Sequence, residues 1–156
     1  MVNRRSAKNA PRLYCLHFNE CDPKKCTALK LKRFNLIKII RKIKGPLKNA
    51  VILNPFSKKE ITLQDRERIL KYGLIVIDCS WKKLLKFRDL DFPSGRKLPA
   101  LIAANPINFG KWEKLSSVEA LAAALYITGF KNQAEFLLSK FPWGKEFLKI
   151  NYKKNK

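Results

Sequence analysis

Asp78 is the carboxylate in this chain best placed for chemistry. It follows Leu74-Ile75-Val76-Ile77, which contains no polar residue, and precedes Cys79-Ser80-Trp81. A charge that closes an apolar run is costly unless it has a partner or a task. The structural alternative is that Asp78 caps a helix starting near Trp81; the two roles can coexist. Trp81 offers an aromatic wall for an apolar pocket, or a face for a cation such as a sulfonium. Its structural alternative is ordinary packing of that helix. Two other apolar runs end in the same manner: residues 50–53 stop at Asn54-Pro55, and residues 99–104 stop at Asn105-Pro106-Ile107-Asn108. Three polar turns, two of them proline-stiffened, can converge on one pocket made of backbone amides and carbonyls. Such a pocket suits an adenosine-type ligand, whose base needs an apolar slot and whose ribose needs acceptors.

Other chemistries are excluded by missing motifs. There is no G-x-x-x-x-G-K-[ST], no G-x-G-x-x-G, no H-E-x-x-H and no G-x-S-x-G. The four cysteines are Cys15, Cys21, Cys26 and Cys79, read as reduced and structural. Cys21 and Cys26 form C-x4-C with no second pair nearby, so no metal is expected. The one histidine, His17, sits in an apolar run and reads as a core-edge residue. A lone histidine also weighs against a histidine-based triad.

The elements that must position these residues follow from periodicity and punctuation. Residues 13–18 form an apolar run of strand length. Thr27 is expected to cap a helix over 28–34. Residues 36–44 mix both periodicities and stay undecided. Strands are expected at 50–53, 74–77 and 99–104. A helix over 62–72 is capped by Thr62 and closed by Gly73, and another runs from about 81 to 88. The strongest helix spans 117–128 and is closed by Gly129, with shorter helices at 132–140 and 143–152. Short apolar strands alternating with helices predict an α/β fold on a largely parallel sheet. In such sheets ligands bind beyond the carboxyl ends of the strands, where the three turns lie.

The chain has 156 residues, enough for one domain or one domain with a small appendage. Thirty-four Lys and Arg face 12 Asp and Glu, a net charge of +22, yet 46% of residues are hydrophobic. That apolar content predicts a folded cationic protein rather than a disordered tail. No apolar run approaches the ~18 residues of a membrane span. No secretory signal is visible, so a cytoplasmic location is expected. From Lys24 to Lys48 there are ten basic residues and no acid. Such a stretch repels itself unless a polyanion neutralises it, and RNA is the expected partner. The alternative is a solvated face without a specific partner. A membrane surface is disfavoured because the stretch lacks an amphipathic apolar face.

Four blocks, in order, then carry a resemblance. They are Asp22…Lys25-Cys26-Thr27; Gly73-Leu74…Asp78-Cys79-Ser80-Trp81; Arg96…Leu98-Pro99…Ala103-Ala104-Asn105-Pro106-Ile107-Asn108-Phe109-Gly110; and Ser117-Val118-Glu119-Ala120…Ala123-Ala124-Leu125-Tyr126-Ile127. Over residues 12–152 the chain resembles the small-subunit rRNA aminocarboxypropyltransferases in their compact archaeal form. The resemblance implies a SPOUT-like α/β fold with a C-terminal trefoil knot, a feature that general topology rules would not suggest. Residues 1–11, polar and basic up to Pro11, read as a flexible basic arm; the resemblance implies an N-terminal RNA-facing α/β part at 12–60 and a C-terminal SPOUT-like SAM-binding part at 61–156. It implies S-adenosylmethionine (SAM) as donor of the 3-amino-3-carboxypropyl (acp) group, without metal. The implied acceptor is N3 of a (N1-methyl)pseudouridine in small-subunit rRNA or a pre-ribosomal subunit, and the implied form is a monomer.

The same resemblance assigns residues. Thr27 holds the carboxylate of the transferred arm. Leu53, Pro55 and Trp81 enclose the SAM methyl, with Asn54 standing where the family has Ser. The Ile77 carbonyl accepts from the ribose, and Leu101 lines the adenine slot. Asp78 lies nearest the reacting carbon and is a candidate base. Lys24, Lys25, Lys30, Lys32, Arg33, Arg41, Lys42 and Lys44 are the expected RNA contacts. Two other readings stay open at this point: a SPOUT-type methyltransferase, and a non-catalytic basic ribosome-binding protein.

Overall fold

The computed structural model describes residues 10–18, 24, 26–78, 84–87, 92–111 and 115–153. In chain order the elements are β1 (Leu13–His17), α1 (Thr27–Arg33), β2 (Lys38–Ile40), β3 (Val51–Leu53), α2 (Arg66–Tyr72), β4 (Leu74–Asp78), β5 (Gly95–Arg96), α3 (Ser117–Ile127), α4 (Lys131–Leu138) and α5 (Gly144–Leu148). The five strands form one parallel sheet in the order β2-β1-β4-β3-β5. The expected α/β class and parallel sheet are therefore present. Strand β4 lies between β1 and β3, so one sheet draws on both sides of residue 60. The undecided segment 36–44 supplies β2 at the sheet edge.

Side chains alternate across the strands, as the pleat requires. Leu13, Cys15, Val51, Leu53, Leu74 and Val76 point into one cluster with α1, α3, α4 and α5. Leu16, Ile52 and Ile75 point into a second, packed by Tyr14, Ile40, Ile43, Leu47, Tyr72 and Phe92. Both faces are covered, which is why β3 and β4 read as unbroken apolar runs. Helix α3 is buried over most of its length, from Val118 to Leu125 except for half-buried Ala120. A helix apolar on nearly all sides belongs in the middle of a protein, and α3 is central here. Gly73 closes α2 and starts β4 with φ of +102°; a Cβ there would meet the Tyr14 ring at 2.8 Å and the Arg12 carbonyl at 2.9 Å. Only glycine fits both constraints.

Three expectations are corrected. Residues 99–104 are not a strand. The fifth strand is the two-residue Gly95–Arg96, and the later run is held by side chains instead. Pro99 brings no N–H to a ladder, and Asn151 takes both the Ile102 amide and carbonyl at 2.9 Å. The helix expected over 62–72 begins with a 3-10 turn, Leu63–Asp65, closed by a Thr62–Asp65 capping box. The helix expected over 143–152 divides into α5 and a π turn, Lys149–Lys153. Most of the expected helix near 81–88, and arm residues 1–9, fall outside the described residues. Among the described residues no helix is long and apolar enough to cross a membrane.

The Tyr152 ring stacks on Tyr126 at 4.5 Å between centroids. Its hydroxyl is buried with no hydrogen-bond partner among the described residues. Burial first, and Tyr126 second, push the Tyr152 pKa up to about 12. The folded state therefore holds this proton longer than the unfolded chain does. Its contribution to stability is present below pH about 10 and is lost as the pH rises toward about 12. Tyr152→Phe is expected to flatten that alkaline loss and to leave neutral-pH stability unchanged or improved. Urea midpoints measured from pH 8 to 12 check it; a wild-type slope retained in the variant would contradict the assignment.

Candidate functional site

The carboxyl ends of β1, β3 and β4 meet the start of α1, the start of α3 and the loop after β5. Asp78 closes β4 directly opposite His17 of β1. The Asp78 Oδ2 atom lies 3.5 Å from His17 Nε2 and accepts from Cys26 Sγ at 3.4 Å. Cys26 is the residue before α1, so the C-T pair of the sequence sits at this junction.

Thr27 was expected to cap α1 through its side chain. Instead Cys26 occupies the cap position without a side-chain bond, and Thr27 Oγ1 accepts the Val118 amide at 3.1 Å. The physical reason lies in α3. The first amides of a helix have no intrahelical acceptor, and two hydroxyls provide them here. Thr27 takes Val118, and Ser116 takes Glu119 at 3.4 Å. Because the Thr27 oxygen accepts from α3, its hydroxyl proton can be donated to an anion at this helix end.

Glu119 organises the other wall. It is fully buried, and its carboxylate accepts from the Ala104 amide at 2.6 Å, the Asn105 side-chain amide at 2.7 Å, and the Ser116 amide and hydroxyl at 2.9 Å each. One side chain thus fixes residues 104–105 against the start of α3. Leu101, Ala103 and Ala104 are buried beneath it. The loop beyond folds back through the Ala103–Lys111 and Gly110–Ala103 backbone bonds and leaves Ile107 and Phe109 exposed. Sequence reasoning used Glu119 only as part of a block. The signal that finds it is the capping box Ser116-x-x-Glu119 at the opening of an apolar helix.

The other assigned residues sit as follows. Leu53 is buried at the end of β3, paired with Val76 of β4. Asn54 is buried and its side chain accepts the Phe56 amide at 3.0 Å, turning the chain so that Pro55 is exposed. Ile77 is half-buried and pairs with Leu16. Trp81 and Lys25 lie outside the described residues.

The basic stretch divides between the two sides of the sheet. Lys30, Lys32 and Arg33 are on α1, with the Lys30 ammonium 4.7 Å from the Phe141 ring centre, and Lys24 is exposed before it. Arg41, Lys42 and Lys44 are on the opposite side. With Arg12, Tyr14 and Tyr72 they line a cavity of about 530 Å³. Four cations and two aromatic rings around one hollow suit a nucleotide, with phosphate on the cations and base on the rings. Arg12 and the two tyrosines were not among the expected contacts, because they are distant in sequence from the charged run.

Similarity to known proteins bears on what this junction serves. The family described as "Ribosome biogenesis protein, C-terminal" matches residues 51–155. A 16S rRNA aminocarboxypropyltransferase of Methanocaldococcus jannaschii is 45% identical over 143 residues, covering 91% of this chain and 83% of that protein. The chain belongs to the 16S rRNA aminocarboxypropyltransferase family. Its relative of that name in Methanosphaera stadtmanae is 47% identical over 137 residues, covering 86% of this chain and 80% of that one. The fold of this aminocarboxypropyltransferase-family chain is also that of the SAM-dependent rRNA:acp-transferase Tsr3 from Vulcanisaeta distributa, with a TM-score of 0.85, 41% identity and coverage of 92% and 80%.

A further match, to "Possible Fer4-like domain in RNase L inhibitor, RLI", covers residues 11–44. A four-iron cluster takes four thiolates. This stretch has three cysteines, Cys15, Cys21 and Cys26, and Cys15 is fully buried in the core beneath the sheet. The residues do not fit such a cluster in this family member.

Proposed function

We propose that this chain transfers the acp group of SAM to N3 of a (N1-methyl)pseudouridine in small-subunit rRNA during ribosome biogenesis. Beyond family membership, one observation carries the reading. Thr27 stands at the meeting of two helix starts with its oxygen engaged by Val118 and its proton available to a carboxylate. SAM offers three electrophilic carbons on one sulfur, and geometry selects among them. Holding the carboxylate at Thr27 presents the γ-carbon. Enclosing the methyl between Leu53, Pro55 and Trp81 keeps it from the nucleophile. Ile77 supplies a carbonyl to the ribose, and Leu101, on the loop that Glu119 fixes, lines the adenine slot.

In the reaction, the N3 lone pair attacks the γ-carbon, the carbon–sulfur bond breaks, and 5′-methylthioadenosine leaves as a neutral thioether. The imide proton goes to a base, for which Asp78 is the candidate. The sulfonium is its own leaving group, so the transfer needs no metal at the reacting carbon. The part before residue 60 carries the RNA-facing basic stretch and, through Thr27, Leu53 and Pro55, shares the holding of SAM with the part after it. The SPOUT-like arrangement with its C-terminal knot is part of this proposal and rests on the family resemblance alone. The working form is a monomer acting on the pre-ribosomal subunit in the cytoplasm.

Two binding measurements test this. SAM is expected to bind with Kd below about 1 mM; weaker binding would leave only a basic ribosome-binding protein. Neutralising Arg41, Lys42 and Lys44 together is expected to weaken rRNA binding and reduce its log–log salt slope by roughly 2, about 0.7 per lost phosphate contact on single-stranded RNA. The same change on α1, at Lys30, Lys32 and Arg33, measures the other side of the sheet. If neither set alters the slope, the basic stretch is only solvated surface.

A further inference from the structure

We infer that His17, Cys26 and Asp78 form a binding site for one divalent cation of the zinc class. Three donor types that suit such an ion converge at the carboxyl end of the sheet. Their ligand atoms are mutually close: His17 Nε2 to Cys26 Sγ is 3.6 Å, His17 Nε2 to Asp78 Oδ2 is 3.5 Å, and Cys26 Sγ to Asp78 Oδ2 is 3.4 Å. Among the described residues this is the one group of its kind. A tetrahedral ion with bonds of about 2.3 Å to sulfur and about 2.0–2.1 Å to nitrogen and oxygen holds its ligand atoms roughly 3.3–3.6 Å apart. The observed triangle has those dimensions.

The triangle also argues against a hydrogen-bonded relay. In a Cys–His–Asp relay the thiol and the carboxylate sit on opposite ring nitrogens, so that a proton passes through the imidazole. Here both face the same nitrogen, Nε2. Convergence on a shared point is what a coordination face requires.

Charge and burial agree. A thiolate and a carboxylate carry two negative charges, which a divalent cation neutralises. His17 and Cys26 are 5% and 7% exposed, so an ion held between them is largely shielded from water. The Asp78 side chain is 25% exposed, so solvent reaches the site from its side and can fill a fourth position with water. The three ligands come from the end of β1, the start of α1 and the end of β4, so the ion would tie these together beside Thr27. C-x4-C spacing gave no hint of this, because the partners of Cys26 are 9 and 52 residues away.

The test uses the full chain and the metal alone. Protein stripped with chelator is titrated with Zn²⁺ and, as a spectroscopic probe, Co²⁺. We expect stoichiometric binding, with tetrahedral Co²⁺ d–d bands and a thiolate charge-transfer band. Cys26→Ser should abolish the charge-transfer band, and His17→Gln should weaken binding at least ~10-fold, since losing even an outer-shell partner costs that much. Cys15→Ala, on a buried thiol outside the triangle, should keep both features. Should Cys26→Ser fail to fold by circular dichroism, His17→Gln carries the same comparison. Substoichiometric binding by the wild type, a charge-transfer band that survives Cys26→Ser, or unchanged affinity in His17→Gln would overturn the site. Only Asp78 Oδ2 belongs to the triangle, which leaves Oδ1 as the atom that can take the imide proton; neither readout involves SAM or RNA, so a failure of this site and a failure of the transferase reading are distinguishable.

Discussion

Replacing Glu119 with alanine should destabilise the chain by about 3–5 kcal/mol, the cost of removing one partner from a buried charged network. The four donors it serves, from Ala104, Asn105 and the Ser116 amide and hydroxyl, would lose their acceptor in a place water does not reach. At this chain length that corresponds to a fall in Tm of roughly 10 °C. Glu119→Gln should recover part of this, because an amide oxygen at the Oε1 position keeps the Asn105 and Ser116 partners while the Ala104 amide is left facing an NH2 group. All four partners are donors, and an amide replaces one acceptor oxygen with a donor. The effect extends to function, because residues 101–105 form the wall assigned to adenine, so SAM affinity should fall in any variant that still folds. Urea denaturation with SAM titration checks both. A loss of stability under about 1 kcal/mol would mean that the loop is held by other means.

Thr27→Val should separate donor binding from folding. The change keeps shape and removes the hydroxyl. The Val118 amide loses its acceptor, at a cost of about 1–2 kcal/mol, comparable to losing a helix cap. The larger effect is expected on SAM. A hydrogen bond to a carboxylate contributes about 1.5–3 kcal/mol, so Kd should rise roughly 10- to 100-fold. Thr27→Ser keeps the hydroxyl and should bind SAM nearly as the wild type does. Calorimetric titration of the three proteins decides it. Equal affinity in Thr27→Val and wild type would show that Thr27 serves only to cap α3.

Much of the fold was legible because its signals are local. The apolar runs at β1, β3 and β4 are buried on both faces, and Gly73 and Gly129, both at positive φ, end helices where punctuation placed them. The run 99–104 misled because a buried apolar segment looks the same whether a neighbouring strand or side chains satisfy its backbone. Here Asn151 and Glu119 do so, from 49 and 15 residues away. Thr27 misled in a related way. A threonine before a helix reads as that helix's cap, yet its oxygen serves a helix 91 residues further on. The basic stretch was visible as charge, but its division between α1 and the cavity at Arg41, Lys42 and Lys44 depends on which face of the sheet each segment crosses. Asp78 stood out for ending an apolar strand; its meeting with His17 and Cys26 needed the parallel register of β1 and β4.

The account depends on which carbon of SAM reaches the nucleobase. Small-subunit rRNA lacking the modification should be incubated with the protein and SAM carrying label either in the methyl carbon or in the carboxyl carbon. Label from the carboxyl should enter the RNA, and label from the methyl should remain with 5′-methylthioadenosine. Methyl label in the RNA, with the carboxyl label left on S-adenosylhomocysteine, would contradict the arrangement around Thr27 and identify a methyltransferase instead.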